Sequence, residues 1–387
     1  MAELFSFASD SVTEGNPHKL CDRVSDAVLD ACLGQDPEAR VACEAVTKTG
    51  MVMILGEIIT KASVNYEQVI REAVKAAGYD SDDKGLDWRT VNVLVAIDEQ
   101  SPDLAQAISI NKVAEEVGSG DHGVVFGYAT DETPERMPLS HVLANRLCSR
   151  LDAVRKDGTV SWARPDGRSQ VVIEYKEAAD GSVSPVKVKS VTVCARHAAD
   201  VKPEQVEKDL MEHVVRPVIP ESLCDASTSY YLAQPKQLVQ GGGATDAGLS
   251  GRKTVCDTYG GWASHGSGSL SGKDGSTIHR AATYGARWAA RSLVDAKLCR
   301  RCVVQLSYSP GSPQPVSVHV QSFGTAKASS KTDAELASIL LRNFDFRPGC
   351  LQRDLGLKAP QFQNYACYGH LGRTDLDSPW EKSKDLK

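Results

Sequence analysis

Apolar residues recur along this chain with two periods, and the two alternate from one end to the other. Arg23–Leu33 places Val24, Ala27, Val28 and Ala31 at i, i+3, i+4 and i+7, the stripe of an amphipathic helix. Asn16-Pro17 signals its start, a capping side chain followed by a proline suited to the first turn. Tyr66–Ala77 repeats the pattern with Val69, Ile70, Ala73 and Val74. Between and after these helices, Met51–Ile59, Val91–Ile97, Gln170–Tyr175, Val186–Val193, Cys302–Tyr308 and Val316–Val320 read as strands. Further helices fit Leu139–Val154, Pro203–Val215 and His279–Ala296.

Each third of the chain therefore mixes strands with two helices, with boundaries near 1–112, 113–234 and 235–387. The links Gln100–Asp103, Gly118–Gly123 and Gly241–Gly251 are polar or glycine-rich. Strands pairing as hairpins with helices on one side predict an α+β architecture. At 41% apolar and 24% charged, the composition is that of an ordinary globular protein. A net charge of −6 gives no basic stripe for nucleic acid. No apolar run is long enough for a membrane span, and the first residues lack a signal-peptide pattern. Eleven scattered cysteines fit reduced thiols in a cytoplasmic protein. The lone CxxC, Cys299 and Cys302, has no second pair to complete a metal site.

Two glycine-rich loops carry the chemistry: GGGATDAGLSGRK (Gly241–Lys253) and HGSGSLSGKD (His265–Asp274). Successive backbone N–H groups in such loops can cradle an anion, and Arg252, Lys253 and Lys273 would add charge-assisted bonds to phosphate oxygens. The alternative is flexible surface loops with solvated cations. Neither a Walker phosphate loop nor a G-x-S-x-G nucleophile elbow is present. A third loop, GSGDHG (Gly118–Gly123), carries Asp121, which alone reads as a turn residue.

Taken together, these segments resemble the methionine adenosyltransferases (S-adenosylmethionine synthetases). The family's SESVxEGHPDK, ACE, GAGDQG, WLRPDxKSQV, GGPxGDxGLTGRKxxxDTYGG and HGGGAFSGKDPTKVDRS align with SDSVTEGNPHK, Ala42–Glu44, GSGDHG, WARPDGRSQV, GGGATDAGLSGRKTVCDTYGG and HGSGSLSGKDGSTIHRA. YGHLGR (Tyr368–Arg373) also matches, and LCDRVSDAVLDACL and DETPERMPLSHVLA look plant-type. The resemblance spans the whole chain. It implies three similar α+β domains about a pseudo-threefold axis. It also implies a homodimer, in many members paired into a tetramer, with small-molecule sites between subunits. Two Mg²⁺ and a K⁺ would assist attack of the methionine sulfur on C5′ of ATP, displacing triphosphate.

The same alignment exposes departures. The histidine of GHPDK is Asn16, its Mg²⁺-binding aspartate is His18, and the Mg²⁺-binding aspartate of KVDRS is His279. Imidazole is a poor substitute for the hard oxygen donors Mg²⁺ requires, whereas it suits Zn²⁺ or another transition metal. The lysine of RPDxKS is Arg168, and a further lysine is Thr277. Leu238 stands where the family stacks an aromatic on adenine, and His122 replaces the glutamine of GDQG. Glu44 (a family metal ligand), Glu57, Gln106, Asp121, Asp246, Arg252, Lys253 and Lys273 match. Loss of charge at a triphosphate site costs transition-state stabilisation, so the resemblance implies weakened synthetase chemistry. Three ends stay open. They are a non-catalytic paralogue (alone or paired with an active synthetase), a pocket repurposed for another substrate, and an impaired synthetase. In the repurposed case, His18 and His279 are expected to approach each other across a subunit interface.

Overall fold

A computed structural model describes residues 3–98, 113–232, 239–266 and 268–387. Gln106, Leu238 and Ser267 lie outside the described residues. The α+β class holds: three sheets each carry helices on one face.

The first sheet has strand order β11 (Gly248–Leu249), β2 (Arg40–Lys48), β3 (Met51–Ile59) and β6 (Asn92–Asp98). In β2, alternate residues Val41, Cys43, Ala45 and Thr47 point inward, while Ala42 and Glu44 face out. Helices α1 (Pro17–Leu33) and α2 (Tyr66–Ala76) cover the inner face. A short pair, β4 (Asp80–Ser81) and β5 (Leu86–Asp87), follows α2. The outer face is bare and largely apolar: Met53 lies beside Leu94 and Leu55 beside Ala96.

The second sheet runs β1 (Glu3–Val12), β8 (Ala163–Glu177), β9 (Val183–His197) and β10 (Ser229–Tyr231). Helix α3 (Leu139–Lys156) packs on it, as does α4 (Pro203–Asp209) with the turn after it. The helix expected over Pro203–Val215 changes character at its end, because Leu210–Val215 forms a wider π turn. The third sheet runs β13 (Ser317–Gln321), β12 (Arg301–Tyr308) and β7 (Gly123–Thr130). After the single-turn α5 (Thr254–Asp257), helices α6 (Ile278–Asp295) and α7 (Asp333–Asn343) cover it.

Strands cross between the thirds of the chain. β1 pairs with β8 over its whole length, and β7 pairs with β12. One apolar core runs from the first sheet to the third, and a second lies under β1, β8 and β9, with Trp262 touching both. The C-terminal segment closes over α6. Trp380 is fully buried and stacks on Tyr284 at 3.9 Å, and Glu381 pairs with buried Arg287 at 2.8 Å. Cys299 and Cys302 are both buried in the core. No helix among the described residues is long and apolar enough to cross a membrane.

Candidate functional site

Both glycine-rich loops dock on the same two elements, α1 and β2. Gly248 and Leu249 pair with Thr47 and Val46, while Lys273 bridges to Ala42. The loops therefore meet β2 about four residues, or roughly 13 Å, apart. On α1, Asp22 accepts the N–H of Gly251 at 2.8 Å and Asp26 accepts the N–H of Gly272 at 2.8 Å. Ser25 bonds Ser250 through their hydroxyls at 2.8 Å. Residues 22, 25 and 26 share one helix face, so a buried polar stripe on α1 spaces the loops.

Glycine is required at two of these contacts. A Cβ on Gly272, where φ is +77°, would stand 1.8 Å from the Cys43 carbonyl oxygen, and one on Gly248 would stand 2.1 Å from that of Pro17. Lys19, also buried, pairs with Asp22 at 3.0 Å and with Asp257, and burial pushes the Asp257 carboxyl up to about 7 against the opposing pull of Lys19. Asp274 accepts the N–H groups of Val41 and Ser276, each at 2.8 Å, which makes it a loop clamp.

Most of the described residues singled out from sequence fall into two clusters. The first gathers His18, Asp246, Arg252 and Lys253. Asn16 caps α1, as expected, by accepting the His18 N–H at 3.2 Å. Leu249 donates its N–H to Nδ1 of His18 at 3.2 Å, and Nε2 of His18 stands 3.9 Å from Asp246. Burial lowers the His18 pKa, Lys253 and Arg252 lower it further, and Asp246 opposes them.

The second cluster gathers Asp121, His122, Lys273, His279 and Glu44. Asp121 lies 3.1 Å from Nδ1 of His122 and 3.4 Å from Nε2 of His279. His279 sits in the first turn of α6, after Thr277. Burial lowers its pKa first, then Lys273, with Asp121 opposing. Burial also lowers the Lys273 pKa, with Glu44 and Asp121 opposing. Beside this cluster opens a cavity of about 640 Å³ walled by His122, Phe126, His265 and Tyr308.

Arg168 and Glu57 are exposed on β8 and β3, opposite Val12 and Ala42 respectively. Within one chain, His18 and His279 keep different partners. Among the described residues, no three His, Cys, Asp or Glu side chains converge as metal ligands would.

Three residues central to this arrangement escape sequence reasoning. Asp22 and Asp26 hide because charged residues on a helix ordinarily read as its solvent face. Asp166, on β8, accepts the Asn16 amide at 3.4 Å and the Gly242 N–H at 3.0 Å, with Arg196 at 3.6 Å. It lay inside the quoted WARPDGRSQV segment, but its partners are 76 and 150 residues away.

Three segments of the chain match known family models. Residues 4–102 match the S-adenosylmethionine synthetase N-terminal domain, 116–238 its central domain and 240–382 its C-terminal domain. The three matches run in family order and cover nearly the whole chain, with the glycine-rich loops inside the last; the chain belongs to the S-adenosylmethionine synthetase family.

Proposed function

We propose that this is a methionine adenosyltransferase-like protein whose synthesis of S-adenosylmethionine from ATP and methionine is lost or very weak. One observation carries this reading. Asn16, where the family pattern has a histidine, is fully buried and its amide is spent at both ends. Its oxygen caps α1 and its nitrogen reaches Asp166. A neutral amide committed to the scaffold supplies no cation to a departing triphosphate. The test is mass-spectrometric detection of S-adenosylmethionine from purified protein with ATP, methionine, Mg²⁺ and K⁺. Turnover at ordinary enzyme rates would refute the proposal.

The family's Mg²⁺ fits these residues poorly. A neutral imidazole whose Nδ1 accepts a backbone N–H carries its proton on Nε2. At His18 the Leu249 N–H occupies the Nδ1 lone pair, so that nitrogen does not offer it to a metal. A transition metal at His18 would meet the same obstacle unless the ring gave up the Leu249 N–H. Mg²⁺ would find Glu44 and Asp121 in the second cluster, but His279 in place of the third oxygen ligand.

A second reading, a pocket kept for a different small molecule, is favoured by the Asp121 carboxylate lying between two imidazoles beside the cavity at Phe126 and Tyr308. We also propose a homodimer formed through the bare face of the first sheet. An apolar, unpaired sheet face calls for a covering surface, and a second copy brings one of the same character. Pairing with an active synthetase through the same face would make the chain a regulatory subunit. A cytoplasmic setting accords with eleven free cysteines, nine of them buried.

A further inference from the structure

A second cavity, of about 260 Å³, opens between α3 and the C-terminal stretch Tyr368–Asp375. Among the described residues, no member of the two clusters lines it. Val142, Asn145, Arg146 and Ser149 recur at i, i+3, i+4 and i+7 of α3 and so present one face to it. Asn145 is 7% exposed and already bonded. Its oxygen accepts the Ser11 hydroxyl at 2.6 Å, and its nitrogen meets Nε2 of His141 at 3.0 Å. The floor is therefore fixed, and recognition falls to the rim.

The rim holds a carboxylate with one oxygen to spare. The Glu135 side chain is only 8% exposed. One of its oxygens accepts from Nη2 of Arg146, and no group among the described residues donates to the other. The backbone at Glu135 is pinned, because its carbonyl accepts Nη2 of Arg287 at 2.7 Å and Nη1 of Arg291 at 2.9 Å. A carboxylate oxygen without a donor in so buried a side chain is costly, and a ligand ammonium would satisfy it. Arg146 is also only half spent: its Nε and Nη1 have no acceptor among the described residues. Ser149 adds a hydroxyl three residues along the same face. The other charged pair on the rim, Arg373 and Asp375, is mutually satisfied through two contacts, at 2.7 and 2.6 Å.

One anionic oxygen and one guanidinium edge thus remain open, on two residues that touch each other. A ligand serving both must carry its own ammonium and carboxylate close together, as on a single carbon atom. Met137, Val142 and Leu371 supply an apolar wall, and the volume lies below that of drug-sized pockets. We propose that this cavity binds a free α-amino acid with an aliphatic side chain. Its ammonium sits at Glu135, its carboxylate at Arg146 and Ser149, and its side chain against Met137, Val142 and Leu371. The site is separate from the two clusters, and the proposal does not depend on whether the chain makes S-adenosylmethionine.

The test is ligand-detected NMR on the full-length protein with L-leucine, which lacks the sulfur that the family reaction needs. Isocaproic acid, without the ammonium, and isoamylamine, without the carboxylate, are titrated beside it. L-Leucine should bind, and each analogue should bind at least about tenfold more weakly. Glu135→Gln keeps the side-chain shape but removes the charge, and it should weaken L-leucine at least about tenfold, as should Arg146→Gln. Arg146 is 54% exposed, so its replacement leaves the fold standing even where Glu135→Gln does not. No binding at about 10 mM L-leucine would overturn the proposal. So would an analogue that binds as tightly, or unchanged affinity in Arg146→Gln, which would put the leucine elsewhere.

Discussion

Asp166 holds Asn16 with one carboxylate oxygen, at 3.4 Å, and the backbone of Gly242 with the other, at 3.0 Å. One side chain on a strand thus joins the cap of α1 to the start of the first glycine-rich loop. It is 4% exposed, and Arg196 is its nearest cation at 3.6 Å. Asp166→Ala would leave two buried donors unsatisfied and Arg196 without its carboxylate. The expected loss is about 2–4 kcal/mol of stability, measured by urea unfolding. Asp166→Asn, which keeps an acceptor for Gly242, should lose less. An alanine variant as stable as the native chain would show that the link is dispensable.

The bare face of the first sheet predicts an oligomer sensitive to charge. Leu94 is 40% exposed in the isolated chain and lies beside Met53. Leu94→Lys would place an unpaired ammonium in the middle of an apolar interface, at a cost of several kcal/mol. Sedimentation velocity should show a dimer for the native chain and predominantly monomer for Leu94→Lys. A native monomer would remove the proposed interface.

Glu132 gives the fold a defined pH response. Its carboxylate accepts the Leu139 N–H at 3.0 Å, while its other oxygen is buried without a partner. Burial raises its pKa to about 7, against the opposing hydrogen bond from the Leu139 N–H. For an acid raised on folding, the folded state holds a proton that the unfolded chain has already released. The contribution of this group is therefore fully present below about pH 4.5 and is lost as pH rises to about 7. Glu132→Gln keeps an acceptor for Leu139 and cannot ionise. Relative to the native chain, it should gain about 1–3 kcal/mol in stability between pH 4 and pH 8. A stability difference flat with pH would contradict the assignment.

Elements with strong periodicity were legible in sequence. The strand Met51–Ile59 forms over those residues, and α3 starts at Leu139 as expected. What escaped had identifiable reasons. Strand β1 has outward-facing Leu4 next to Phe5, which blurs alternation, and its pairing partner β8 begins 160 residues later. The apolar pattern of strand β7 is interrupted by Gly127, which passes against the Ala286 backbone of α6. Helix α7 did leave a signal, the Thr332–Glu335 capping box, which forms with both of its hydrogen bonds. At the site, motif resemblance picked out His18, Asp121, Asp246, Arg252, Lys253, Lys273 and His279, and the fold gathers them into two clusters. It could not indicate that Leu249 fixes the His18 ring, because that contact joins residues 231 positions apart through a backbone group.

We propose that a scaffold able to support the family chemistry has had it removed at a few positions. The most direct measurement is S-adenosylmethionine formation, by mass spectrometry, for the native chain beside an Asn16→His/His18→Asp/Thr277→Lys/His279→Asp variant. The expected result is little or no product from the native chain and at least about a hundredfold more from the variant, since each restored charge contact contributes at the transition state. Comparable rapid turnover by both proteins would contradict the claim, because the four positions would then not be where the chemistry was lost.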